Sequence, residues 1–271
     1  MVNLGSVIAF AYDGSLNGDW VAHYAVRFAA NTERRLRLLH IETGSPLRHL
    51  DERVARIQAE ASRAGVSLGV SIVHAAPGHV TEALLEASGE APLVTGTRAR
   101  PRDRAFLADT VAARLLERGP GPVIAVHVAH PGVLGQPGRV LVPFRGAGAP
   151  DPSPMLRLLG AELEALHVLL IGPAPSFGGR LSSVSQITQA AAEGRARVEA
   201  MERRIREGIA PHACDMDGSV SFSSDPAREI RLRALAHRSR LICLDAGHAK
   251  ASIEAVLAAA PADVAIHRWP S

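Results

Sequence analysis

Short apolar runs alternate with helix-spaced apolar stripes along the whole chain. Residues 7–12 are continuously apolar and stop at Asp13-Gly14-Ser15, which predicts a buried parallel strand ending in a turn. Ser15 is placed to cap a helix whose stripe is Trp20, Val21, Tyr24, Ala25 and Phe28. A second strand is predicted over 36–41. A second helix follows, carrying Leu50, Val54, Ile57 and Ala61 and ended by Gly65. Val66, Leu68, Val70 and Ile72 alternate as a third strand, and Val80, Ala83, Leu84 and Ala87 mark a third helix. A strand at 92–96, a helix at 110–118 and a strand at 122–128 complete the series. Strict strand–helix alternation predicts an α/β fold with a parallel sheet covered on both faces.

Residues 128–138 (VAHPGVLGQPG) are rich in glycine and proline and read as a linker, after which the pattern restarts. Residues 140–144 repeat the first strand, and Phe144-Arg145-Gly146 falls where Tyr12-Asp13-Gly14 fell. Strands are predicted at 166–171, 219–223, 241–244 and 264–267. Helices are predicted at 183–208, around Ile230, Leu232 and Leu235, and at 253–259. The two copies agree in element order and only loosely in residues, the pattern of a duplication followed by divergence. The expected organisation is a first domain over 1–130, a linker over 131–138 and a second domain over 139–271.

Composition narrows the function classes. Of 271 residues, 47% are hydrophobic and 21% charged, and the net charge is +3, so the chain is globular and carries no polybasic surface. With aromatics at 4%, a base-stacking surface is excluded as well, and nucleic acid is not an expected partner. No apolar run reaches a membrane span. Two cysteines and an N-terminus without a basic segment predict a cytoplasmic protein.

In an open parallel sheet, ligands bind beyond the carboxyl ends of strands where the connection direction reverses. In the first copy the distinctive loops leave the first and fourth strands: Ala11-Tyr12-Asp13-Gly14-Ser15, and Gly96-Thr97-Arg98-Ala99-Arg100 running on through Arg102 and Arg104 to Asp109-Thr110-Val111. With VIAFAYDGS, RLLHI, GHVTEALLEA and the segment 93–128, the first half resembles the universal stress protein family, and the tandem pattern extends this to the whole chain. The resemblance implies two doubly wound units, each a five-stranded parallel sheet of order 3-2-1-4-5, joined through their fifth strands as an internal pseudo-dimer able to dimerise further. It also implies ATP with Mg2+, held in the first domain between the first-strand aspartate and a G-x-x-G-(x)9-G-[ST] loop.

Asp13 matches that aspartate, Ile41 the position after the second strand, Gly96 the first loop glycine and Thr110 the closing hydroxyl residue. Ala11, Tyr12, Thr97, Arg98 and Val111 complete the expected contacts. Ala99 and Asp109 stand where the family has glycines. A carboxylate at 109, read as the first turn of a helix, competes with an anionic ligand for the positive helix end. Arg98, Arg100, Arg102 and Arg104 are either solvated charges or phosphate contacts. In the second copy Arg145 replaces the aspartate and the loop at 245–252 is too short, so no site of this type is expected there.

No G-x-S-x-G, G-x-x-x-x-G-K-[ST] or H-E-x-x-H motif occurs. His127-x-x-His130 lacks a cysteine or carboxylate at metal-ligand spacing and reads as structural. Cys243 reads as an inert core thiol. The mixed charges of the long helix, from Arg195 to Glu207, read as a solvated face. The expectation is a non-enzymatic stress-response protein that binds ATP in its first domain. The alternative is an interaction module of the same fold, without nucleotide, serving a protein partner of unknown identity.

Overall fold

The computed structural model describes residues 6–44, 49–98, 105–131, 137–146, 148–173, 184–210 and 214–269. The first half comprises β1 (Val7–Ala11), α1 (Leu16–Asn31), β2 (Arg35–Glu42), α2 (Leu50–Arg63), β3 (Leu68–His74), α3 (Val80–Ser88), β4 (Leu93–Gly96), α4 (Val111–Arg118) and β5 (Val123–His127). The second comprises β6 (Arg139–Phe144), α5 (Ser153–Arg157), β7 (Ala165–Pro173), α6 (Val184–Ile209), β8 (Asp215–Ser223), α7 (Pro226–Ala236), β9 (Leu241–Asp245), α8 (Lys250–Leu257) and β10 (Asp263–Arg268).

All ten strands form one sheet of order β3-β2-β1-β4-β5-β10-β9-β6-β7-β8, so each half carries the order 3-2-1-4-5. Pairing is parallel within each half. The halves meet where β5 and β10 run antiparallel, with Ala125 opposite Ile266 and Val126 opposite Ala265. The sequence dictates this seam: every residue of β5 is buried, and an apolar strand left at an edge would template aggregation. Pairing the two fifth strands hides both. Asp263 clasps the seam from one side, accepting from the Tyr24 hydroxyl at 2.5 Å and from the Ala129 amide at 2.8 Å.

Alternation along the strands sends side chains to two cores, each spanning both halves. Phe10, Tyr12, Leu38, Val142 and Phe144 pack beneath α1 and α6, while Ala9, Leu39, Leu141 and Leu169 pack beneath α4, α7 and α8. Burial of both faces is why central strands such as β1 and β5 read as continuous apolar runs. α6 buries Val198, Met201, Ile205 and Ile209 at helical spacing and leaves Arg195, Arg197, Arg203 and Glu207 exposed, as expected of a solvated charged face.

One expectation is corrected, and two features are added. Ile41 lies inside β2 rather than after it, because β2 stays paired with β3 as far as Glu42 opposite His74. The buried stripe of α7 is Ala227, Ile230 and Ala234, whereas Leu232 and Leu235 are 48% and 61% exposed. The helix following β6 is cut to five residues, against sixteen in α1. Ala99, Arg100, Arg102, Arg104 and linker residues 132–136 lie outside the described residues.

Candidate functional site

The strand order reverses between β1 and β4, and there the carboxyl ends of the strands open into a crevice of about 550 Å3. Ala11, Tyr12, Asp13, Ile41, Gly96, Thr97, Arg98, Thr110 and Val111 all line it. The structure thus brings every sequence-predicted contact residue to one place. It adds an apolar wall of Leu39, Val80 and Leu84. Period-two alternation on β2 puts Leu39 on the same face as Ile41, so that part of the wall was readable from sequence.

At the end of β1 the chain turns through Gly14, at φ 73°. Asp13 is exposed, and its Oδ1 accepts from the Ser15 amide at 2.9 Å, while Ser15 caps α1 by accepting from the Gly18 amide at 2.9 Å. The Tyr12 peptide is committed elsewhere: its N–H donates to the Leu39 carbonyl, and its carbonyl accepts from His40 Nδ1 at 2.9 Å. The Tyr12 hydroxyl donates to Asp19 at 2.5 Å, and Asp19 is also paired with Arg53. Burial and the Asp19 carboxylate hold the Tyr12 phenol well above its usual pKa, so it stays protonated. Tyr12 therefore braces the site, and Asp13 is the residue of this turn free to meet a ligand.

At the end of β4, Gly96 serves close packing against α1. A Cβ there would lie 3.0 Å from Asn17 Nδ2 and 3.2 Å from Val21 Cγ2, and Asn17 donates to the Thr97 carbonyl at 2.9 Å. Gly96→Ala is expected to cost about 1–2 kcal/mol by pushing α1 off the sheet. A urea midpoint unchanged from wild type would refute that account.

The loop that follows is held from three sides. Thr97 Oγ1 is hydrogen-bonded to buried His127 Nδ1 at 3.0 Å, and Phe106 meets the same imidazole edge-on at 5.0 Å. Burial pushes His127 down to about 4, so it is a neutral prop rather than a cation. The Arg98 guanidinium folds back onto the Ala105 carbonyl at 3.0 Å and the Ala108 carbonyl at 3.3 Å, neither free in solvent nor aimed outward. Glu254, on α8 of the other half, accepts from the consecutive amides of Phe106, Leu107 and Ala108 at 2.8, 2.8 and 2.9 Å. Nothing in the sequence points to Glu254.

Thr110 is the N-cap of α4, accepting from the Ala113 amide at 3.1 Å. Asp109 consequently lies one residue outside the helix, exposed and at φ 58°, and does not occupy its first turn. A left-handed backbone is what glycine adopts freely, and aspartate is among the few other residues that tolerate it. The backbone shape expected of a glycine is therefore kept, with a carboxylate added at the crevice.

The second half offers no equivalent. Exposed Arg145 stands at the end of β6, and residues 246–249 alone separate β9 from α8, where residues 97–110 separate β4 from α4. Among the described residues one group has metal-like proximity: His167, Asp217 and His237. It is internally satisfied, because His167 bonds Asp217 through Nδ1 and Ser219 through Nε2, both at 2.8 Å, and stacks on His237 at 3.6 Å. Cys243 is buried, which pushes its thiol up to about 12 and keeps it inert.

No family model matches the sequence, and no curated protein matches it. Solved structures do. A universal stress protein from Archaeoglobus fulgidus superposes with a TM-score of 0.65 at 15% identity, covering 98% of this chain and 97% of that one. A Pseudomonas aeruginosa protein assigned to the universal stress proteins gives 0.58 at 17% identity, covering 96% and 91%. The cytoplasmic domain of a prokaryotic cation chloride cotransporter gives 0.57 at 13% identity, covering 97% and 95%. At these identities the likeness establishes a shared fold, and over nearly the full length of both partners it is the tandem fold.

Proposed function

We propose that this chain, which has the tandem fold of the universal stress proteins, is a stress-response protein of that family and binds ATP with Mg2+ in its first half without turning it over. The observation that carries this reading is the convergence of Asp13, Ile41, Gly96, Thr97, Arg98 and Thr110 on one crevice at the switch point. Leu39, Val80 and Leu84 supply an apolar wall for a base, and the Asp13 carboxylate is a hydrogen-bond acceptor for the ribose. The N-terminus of α4 and the Thr110 region face the phosphates.

Calorimetric titration with Mg-ATP tests this. One site per chain is expected, with affinity reduced about tenfold or more in Asp13→Ala through loss of a charged hydrogen bond. Absence of heat, together with no nucleotide released on denaturing the purified protein, refutes it.

A second reading is favoured by Asp109 and Glu254: one sets a carboxylate at the phosphate end, and the other occupies three loop amides. On that reading the chain is an interaction module without nucleotide. The occurrence of this fold as a transporter's cytoplasmic domain is consistent with such a use.

A further inference from the structure

The second half contains a crevice that is not the counterpart of the first. The first lies on the face of Leu39 and Ile41, whereas this one lies on the opposite face, beneath Phe144, Val142 and Met201. Its origin is the truncation of α5. In the first half α1 begins three residues after Asp13 and closes over Tyr12, so tightly that a Cβ on Gly18 would sit 3.0 Å from the Tyr12 ring. α5 begins only at Ser153 and spans five residues, leaving the ends of β6, β9 and β10 open to about 490 Å3.

What the opening uncovers is polar. His267, on β10, is 1% exposed and its Nδ1 has no hydrogen-bond partner. His248 also lines the crevice, and its shielded Nε2 is unpartnered too. Buried polar atoms are almost always paired, so two orphaned imidazole nitrogens on one crevice mark atoms that a ligand would satisfy. Burial, with His248 alongside, pushes His267 down to about 3, so it is neutral and offers a ring N–H rather than a charge. The charge comes from Arg145, exposed at the rim and without an ion-pair partner among the described residues. Asp245 also lines the crevice, but its Oδ1 is turned into its own loop by the Gly247 amide at 2.7 Å.

We propose that this crevice binds a small organic anion with an aromatic or branched apolar body. The body lies against Phe144, Val142 and Met201, the acidic head on Arg145, and an acceptor atom takes a hydrogen bond from His267. Arginine suits such a head because its planar fork matches a carboxylate in two places. The site stands independently of nucleotide binding in the first half.

Benzoate is the probe, titrated into the full-length protein while the histidine imidazole resonances are followed by NMR. The expected result is movement of the His267 and His248 signals at millimolar benzoate, with those of His40 and His127 unmoved. Arg145→Gln, a surface change that leaves the core intact, is expected to weaken binding about tenfold. Benzyl alcohol, with the same ring and no charge, is expected to bind comparably weakly to wild type. The proposal is overturned if benzoate moves neither signal, if Arg145→Gln binds as wild type does, or if benzyl alcohol matches benzoate. It is overturned equally if inorganic phosphate shifts both signals as strongly as benzoate, since the apolar wall would then contribute nothing.

Discussion

Replacing Glu254 by alanine is expected to unfasten the loop ahead of α4 and to lower the stability of the whole chain by about 2 kcal/mol, a melting-point loss of roughly 5 °C. Glu254 is half-buried, and its carboxylate takes three successive backbone N–H groups, two on Oε1 and one on Oε2. Hydrogen bonds to a charged acceptor are each stronger than neutral ones. The N–H of buried Leu107 would be left without a partner, whereas that of exposed Ala108 recovers water. The loss should therefore fall below the sum of three such bonds. Glu254→Gln keeps one acceptor oxygen and should recover part of it. Amide exchange provides the sharper readout: protection at Phe106, Leu107 and Ala108 should collapse in Glu254→Ala while protection on β1 survives. Wild-type exchange at those three amides in the alanine variant would show that the contact is incidental.

The same contact ties the two halves together. Glu254 belongs to α8, and the loop it holds borders the crevice between β1 and β4. Lys250, one turn earlier, pairs with Glu117 of α4. The second half has lost the long loop of the first, yet its α8 fixes the first half's loop. The second half thus buttresses the loop that borders the first half's crevice.

The fold was legible in the sequence because its signals are local. Strand runs such as 7–12 are bounded by turn residues, Ser15 and Thr110 announce helix starts, and the unequal lengths of 97–110 and 246–249 can be counted directly. The crevice residues were legible because they sit at strand ends, with the strand order implied by the resemblance to the universal stress proteins. Glu254 was not legible: it lies nearly 150 residues from the amides it caps, and a glutamate on a helix carries no mark of a distant partner. Leu232 and Leu235 fall on α7 as expected, but their helical spacing and bulk do not mark the face that is buried. The helix turns Ala227 and Ala234 to the sheet instead, with Ile230 the only large side chain between them.

Asp109→Gly and Asp109→Asn are expected to tighten Mg-ATP binding about five- to tenfold, through removal of a carboxylate near the phosphate end of the crevice. The two variants separate charge from backbone. Asparagine adopts the left-handed conformation about as readily as aspartate, so it removes the charge and leaves φ 58° as it is. Glycine removes the charge and also relieves strain, but it gains unfolded-state freedom of about 0.5–1 kcal/mol that offsets the relief. Both variants should therefore match wild-type stability to within about 1 kcal/mol. Lys250 moderates the gain: it senses the Asp109 charge and partly compensates it. The tightening should shrink as salt is raised, because Asp109 is exposed and its field is screened within about 10 Å at 0.1 M. If glycine tightens and asparagine does not, the obstacle is backbone shape rather than charge. If neither tightens, Asp109 does not face the phosphates, and the orientation of ATP proposed for the crevice is wrong.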